Sequence, residues 1–134
     1  MFRHSLLAVA LASLASCGGD SGSDDYQMAL DAANAKQAEA ISLAAASPCD
    51  AVQQCANLTL VQPSGHCSAV NYRPYSLAST TAAAASAAAA DERVLANRAI
   101  AIAPPPITAC STMVVAPPGL ACVANTCQAA PPAQ

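Results

Sequence analysis

Seven cysteines in a chain of 134 residues, six of them gathered between Cys49 and Cys127, constrain this sequence more than any other feature. Their spacings are x5, x11, x42, x11 and x4. A structural zinc site draws on Cys-x2-Cys pairs or clustered histidines, and a dithiol redox centre on Cys-x-x-Cys. Neither pattern is present, and His66 is the only histidine beyond His4. No metal and no cofactor is therefore expected, and cystines are the natural use of the six. Three cystines contribute about 2–4 kcal/mol each. The chain needs them. Alanine fills 36 positions, Trp none, and Tyr and Phe together four, so the 54% hydrophobic content is mostly methyl groups. Methyl groups bury little area apiece, and a core built from them is thin. Spacing does not choose among the fifteen possible connectivities.

The seventh cysteine, Cys17, sits at the end of a different kind of segment. Met1–Ser5 carries Arg3 and His4, Leu6–Leu14 is apolar or small, and Leu14-Ala15-Ser16-Cys17 follows. A positive start, a short apolar run and small residues before a cut describe an export signal, too short to span a bilayer as a helix. Leu-Ala-Ser-Cys resembles the lipobox of bacterial lipoproteins, in which the Cys is acylated and becomes the first mature residue. The resemblance implies that residues 1–16 are removed and that Cys17 carries the lipid. An ordinary secretory cut would leave Cys17 as a free thiol. Assigning Cys17 to lipid makes the remaining six even, as an exported protein in an oxidising compartment requires. Gly18 follows, rather than the Asp linked with inner-membrane retention, which points to the outer membrane facing the periplasm. Gly18–Asp25, with three acids and three glycines among eight residues, reads as a flexible tether, so residues 17–25 are lipidated Cys plus tether.

About 118 residues remain, enough for one domain. Outside the N-terminus no apolar run reaches 18 residues, so the expected membrane partner is reached only through acylated Cys17. A charged fraction of 10% and a net charge of −3 argue against electrostatic nucleic-acid binding.

The elements follow from pattern. Residues 26–47 form an alanine-rich helix capped by Asp24 or Asp25, with Tyr26, Leu30, Ala33, Gln37, Ile41 and Ala44 at helical spacing. Ser47-Pro48 stops it. This helix offers either a packing surface to a partner or a spacer lying loosely on its own domain. Asn57–Gln62 alternates as a strand, Leu58 and Leu60 against Thr59 and Val61, and Pro63-Ser64-Gly65 makes a turn. Asn57-Leu58-Thr59 matches a glycosylation sequon that a bacterial lipoprotein does not use. Ser79–Ala103 is the long helix, driven by Ala82–Ala90 and capped from Ser79, Thr80 or Thr81. Its inward stripe reads Leu77, Thr81, Ala84, Ala88, Leu95, Ala99 and Ile102, and Asp91, Glu92, Arg93, Asn97 and Arg98 form a solvated cluster. Thr112–Ala116 and Leu120–Cys127 are β-rich, joined by Pro117-Pro118-Gly119. Val123-Ala124-Asn125-Thr126 reads as a tight hairpin with Asn125 left-handed, which sets Cys122 opposite Cys127. These two either pair with each other or reach back to Cys49, Cys55 or Cys67. The expected fold is α+β: a small disulfide-rich domain over residues 48–128, one long alanine-rich helix against a short antiparallel sheet, an alanine-rich helix before it and a disordered tail at 129–134.

Cys49-x5-Cys55, an apolar strand, Cys67 shortly before Tyr72-x-x-Tyr75-Ser76, a long helix, Cys110 and the closing Cys122-Val-Ala-Asn-x-Cys127 resemble a six-cysteine domain of exported and lipid-anchored proteins of Gram-negative bacteria. The likeness covers about 79 residues. This chain departs from it at Ser68-Ala69-Val70, where members often carry Gly-Gly-Pro, and at Asn125, where they often carry Gly. The resemblance implies fold and location, and no activity.

Catalytic constellations are absent from the sequence pattern. Nucleophilic catalysis needs a nucleophile, a base and an orienting group, and His66 beside Cys67 is the only base, meaningful only if Cys67 were reduced. Asp91 and Glu92 are adjacent, so on a helix they diverge by about 100° and do not pair for acid–base work. The expectation is a non-enzymatic envelope module that binds a protein or surface ligand, with Tyr72, Arg73 and Tyr75 as anchor candidates because aromatics and Arg carry interfaces; packing in an aromatic-poor core is an equal reading of the two tyrosines. The alternative is a protease inhibitor presenting the Pro-stiffened segments Ala103–Cys110 or Ala116–Ala121, though neither holds Arg or Lys.

Overall fold

The computed structural model describes residues 21–105, 109–111 and 115–131. The order is helix α1 (Ser21–Leu43), a 3-10 turn (Val52–Gln54), strand β1 (Cys55–Ser64), strand β2 (Cys67–Ser76), helix α2 (Ala82–Ile102), strand β3 (Leu120–Val123) and strand β4 (Thr126–Ala129). The architecture is α+β, with two antiparallel hairpins, β1–β2 and β3–β4, and three disulfides.

The helices pack against each other and against β1. Ala40 of α1 and Ala44 just past its end meet Ala85, Ala88 and Ala89 of α2 around Leu58, Leu60 and Tyr75, and Ala33 meets Ala96 around Val61. Rising numbers on α1 match falling numbers on α2, so the two run antiparallel. Alanine at the contact lets helix backbones approach closely, at little burial per side chain. The Thr81 hydroxyl donates to the Leu43 carbonyl at 2.6 Å, fastening the start of α2 to the end of α1. Thus the first helix is part of the folded core and not a loose spacer.

The tether expectation is also corrected. α1 begins at Ser21, inside the segment 17–25 expected to be flexible. Gly22 and Ser23 lie beside Ile102–Pro105 at the end of α2, and the Tyr26 hydroxyl accepts the Gly65 N–H at 3.1 Å, so tertiary contact holds the helix start. Asp24 in the first turn favours it electrostatically.

The β1–β2 hairpin turns through Gly65-His66, one step beyond the expected Pro63-Ser64-Gly65, with Gly65 at φ 61°. Glycine with positive φ at the first central position suits a two-residue hairpin turn. Ser64 and Cys67 flank that turn as a hydrogen-bonded pair, so alternate positions are non-bonded. Pro63 and Pro74 both fall on non-bonded positions and remove no ladder donor. β2 has no counterpart in the sequence reading, because Pro74 and the polar residues around it mask its alternation.

At the far end, the β3–β4 turn holds Ala124 at φ 49° and Asn125 at φ 57°. Two left-handed residues make a type I′ turn, as Asn125 suggested. Gln128 and Ala129 belong to β4, and the Ala130 N–H donates to the Gly119 carbonyl at 2.8 Å. Pairing Leu120 with Ala129 uses residues that the sequence assigned to the tail. Of the expected strand Thr112–Ala116, residues 112–114 lie outside the described residues, and Val115 and Ala116 are not in a strand.

Candidate functional site

The cystines divide between the two ends of the β1–β2 hairpin. Cys49–Cys122 and Cys55–Cys127 lie at its base and tie the β3–β4 hairpin to the start of β1. Cys67–Cys110 closes the tip. Cys122 and Cys127 stand opposite each other in register, yet each bonds away to the body of the domain. Cys49, Cys55 and Cys127 are buried at 3%, 8% and 5% exposure, whereas Cys110 is exposed. The sulfurs of Cys49, Cys55 and Cys127 lie within 4.8 Å of one another. This convergence has the look of a metal-ligand set, but all three are bonded in cystines and offer no thiolate. Cys17 lies outside the described residues.

The three expected anchors separate. In a strand, residues three apart point to opposite faces, so Tyr72 and Tyr75 do not share a surface. Tyr75 is 8% exposed and packs with Leu58, Leu60 and the alanines of both helices, which removes it from any partner site. Tyr72 is half-buried, its hydroxyl donating to the Val115 carbonyl at 3.1 Å. Arg73 is exposed and, among the described residues, makes no ion pair. It lines an open groove of about 260 Å³ with Pro74, Ser47 and Thr126–Ala129. β4 forms the other wall. The Cys127 N–H donates to the Ser47 carbonyl at 2.9 Å, and the Cys49 N–H to the Asn125 carbonyl at 3.1 Å. The groove is therefore stapled beside two cystines and presents one guanidinium, hydroxyls and backbone, a chemistry suited to holding a polar extended segment.

Two ionisable groups behave differently from the sequence reading. Glu92, expected in a solvated charge cluster, is 0% exposed. The inward stripe of α2 is Ala85, Ala88, Ala89, Glu92, Ala96 and Ala99, one position out of step with much of the expected set, and Leu77 and Ile102 are exposed. In a helix whose first half is alanine, no hydrophobic contrast marks the buried side. The Glu92 carboxylate accepts the Val61 N–H, at 3.1 and 3.3 Å from its two oxygens. Val61 is a non-bonded position of the ladder, so its N–H points off the open edge of β1 and Glu92 satisfies it. Burial raises the Glu92 pKa above its ordinary value, with the Val61 N–H and the Arg93 charge pulling the other way.

His66 Nδ1 lies 3.0 Å from the Ile100 carbonyl. A carbonyl only accepts, so Nδ1 carries the proton and donates. The ring thus clasps the hairpin tip to the end of α2, beside the Tyr26 contact from α1. Asn57 of the sequon donates Nδ2 to the Pro118 carbonyl at 2.9 Å, which commits the atom a glycan would need.

Comparison with protein-family models, with curated proteins and with solved structures finds no match for this chain.

Proposed function

We propose that this chain is a lipid-anchored protein of a bacterial cell envelope, acylated on Cys17 at the outer membrane, whose cystine domain is a non-enzymatic binding module facing the periplasm. The observation that carries the reading is cysteine parity. All six cysteines from Cys49 onward pair among themselves, leaving Cys17 in Leu14-Ala15-Ser16-Cys17 as the one cysteine for another use. Cystines with long sequence separations suit an oxidising compartment. The groove beside Arg73 is the part of the surface best suited to a protein or surface ligand, being rigid on both walls and carrying a guanidinium.

The test is production of the full chain in a Gram-negative host, with mass analysis of the N-terminal peptide from isolated membranes. A peptide beginning at Cys17 with acyl chains attached is expected, and Cys17→Ala is expected to leave the membrane fraction. A mature chain whose Cys17 is an unmodified thiol overturns the reading. For the groove, a photoreactive residue in place of Arg73 should give a discrete cross-linked envelope species that a probe at the exposed Ala83 does not.

A further inference from the structure

We infer that this chain is a client of a thiol–disulfide isomerase: Cys49–Cys122 and Cys55–Cys127 are reached by exchange from a locally paired isomer, Cys49–Cys55 with Cys122–Cys127. The inference is independent of the lipid on Cys17.

The order of the six cysteines sets the problem. Numbered along the chain, the native bonds join first to fifth, second to sixth and third to fourth. The two base cystines span 73 and 72 residues, whereas the local alternatives have only five and four residues between partners. Loop-closure probability falls as about the three-halves power of length, so an unfolded reduced chain closes each local pair roughly fortyfold more readily than the native one. Cys67–Cys110 joins neighbours in the order, at a separation of 43.

The local isomer is also compatible with native secondary structure. Val123 and Thr126 flank the two-residue turn, so Cys122 and Cys127 form the next, non-bonded pair of the ladder. Such pairs have Cα atoms about 4.5 Å apart, inside the range a disulfide spans. Hence the β3–β4 hairpin can close on itself before it docks, leaving it with no covalent tie to the body.

Docking brings the sulfurs together for exchange. A catalytic thiolate attacks Cys127, forming a mixed disulfide and releasing the Cys122 thiolate. Cys122 attacks Cys49, making Cys49–Cys122 and freeing the Cys55 thiolate. Cys55 attacks Cys127 in the mixed disulfide, making Cys55–Cys127 and returning the catalyst. Three bonds break and three form, and nothing is oxidised overall. The 4.8 Å cluster of Cys49, Cys55 and Cys127 is the geometry this relay needs, and burial of all three then shields the product from further attack. The partner is thus an enzyme that presents a reactive thiolate to a half-docked hairpin.

The experiment uses the full chain carrying Cys17→Ser, so that no internal thiol acts as catalyst. The reduced, unfolded protein is oxidised with diamide, and cystines are mapped by mass spectrometry after elastase digestion without reduction. Linked Cys49–Cys55 and Cys122–Cys127 peptides are expected first. A small amount of reduced glutathione should then convert them to the native pairs, at least tenfold faster than the thiol-free control. Direct appearance of the native pairs, or a local isomer that persists in glutathione, overturns the inference. A second chain, Cys67→Ser with Cys110→Ser, keeps only the four base cysteines, so its Cys49–Cys122 and Cys55–Cys127 pairs should still wait on glutathione. Native base pairs that form there without glutathione place the catalysed step at Cys67 or Cys110 and also overturn it.

Discussion

The two sides of this molecule are held by opposite means. On one side α1 and α2 meet through Ala33, Ala40, Ala44, Ala85, Ala88, Ala89 and Ala96, with no covalent link between them. On the other, the four-residue strands β3 and β4 fully bury only Cys127, and two cystines fix them to the domain. A two-stranded hairpin is marginal alone in water, so the cystines do there what close packing does for the helices. A chain without Trp has divided the work between close approach of methyl groups and covalent closure.

The sharpest way to break this contrast is to remove a staple. Cys55→Ala with Cys127→Ala removes one of two nearly parallel staples. Cys49–Cys122 still closes the long loop, so the loop released runs through that cystine and is only about 11 residues, for which the chain-entropy relation gives a loss of about 3 kcal/mol. Urea unfolding of the double variant measures it. A loss below about 1 kcal/mol would mean the β3–β4 hairpin docks through its own contacts and the contrast is false. On the helix side, Ala40→Leu or Ala96→Leu pushes a larger side chain into a site with 0% exposure. Overpacking of this sort costs about 1–3 kcal/mol. Ala83→Leu, on the exposed face of α2, should change stability by no more than about 0.5 kcal/mol. Equal responses at positions 40 and 83 would show that the helices are not closely packed.

Glu92 sharpens the comparison, since it is the polar exception inside the alanine contact. Its folded pKa is raised by burial from an ordinary value of 4.5. A carboxyl with a raised folded pKa binds more protons folded than unfolded, so its contribution to stability falls as pH rises from 4.5 through the raised value. The slope from this one group is at most about 1.4 kcal/mol per pH unit. Glu92→Gln keeps an oxygen for the Val61 N–H and has no charge to bury. The variant should therefore flatten the pH profile just above 4.5, read from chemical unfolding at a series of pH values. Identical profiles for the two chains would mean the carboxylate is solvated in solution.

The cystine end was far easier to read from sequence than the helix end, and the reason is physical. Cysteine parity, spacing and the Asn125 turn are local or countable, so the hairpin, the facing of Cys122 and Cys127 and the even set of six all follow from a few residues. The buried face of α2 does not. A run from Ala82 to Ala90 interrupted only by Ser86 has no polar side to contrast with its apolar one, and Asp91-Glu92-Arg93 looks like a solvated cluster until Val61 supplies an unpaired N–H. β2 was hidden because Pro74 is harmless only at a non-bonded position, and register is a property of two strands, not one. From sequence Tyr75 stays open between anchor and core packing for the same reason: its partner Ala56, and hence its face, is invisible until β1 is laid beside it. The groove itself is invisible in the sequence, because Ser47 and Thr126–Ala129 come to Arg73 through the disulfides and the Cys127–Ser47 hydrogen bond.

The smallest expected effect lies in the turn that the cystines hold. A type I′ turn needs positive φ at both central residues, and here they are Ala124 and Asn125. Asparagine tolerates the left-handed region, but alanine is strained there by its Cβ, at a cost of about 1–2 kcal/mol. Glycine removes the strain and returns part of the gain as added freedom in the unfolded chain, so Ala124→Gly should stabilise by about 0.5–1 kcal/mol. The direction matters more than the size. Ala124 is exposed, so packing predicts no gain and backbone conformation predicts one. Because Cys122 and Cys127 sit one pair away from the turn, the same variant should also favour early hairpin closure. If Ala124→Gly destabilises the domain instead, the turn is held in some other conformation and the pairing of Cys122 opposite Cys127 loses its basis.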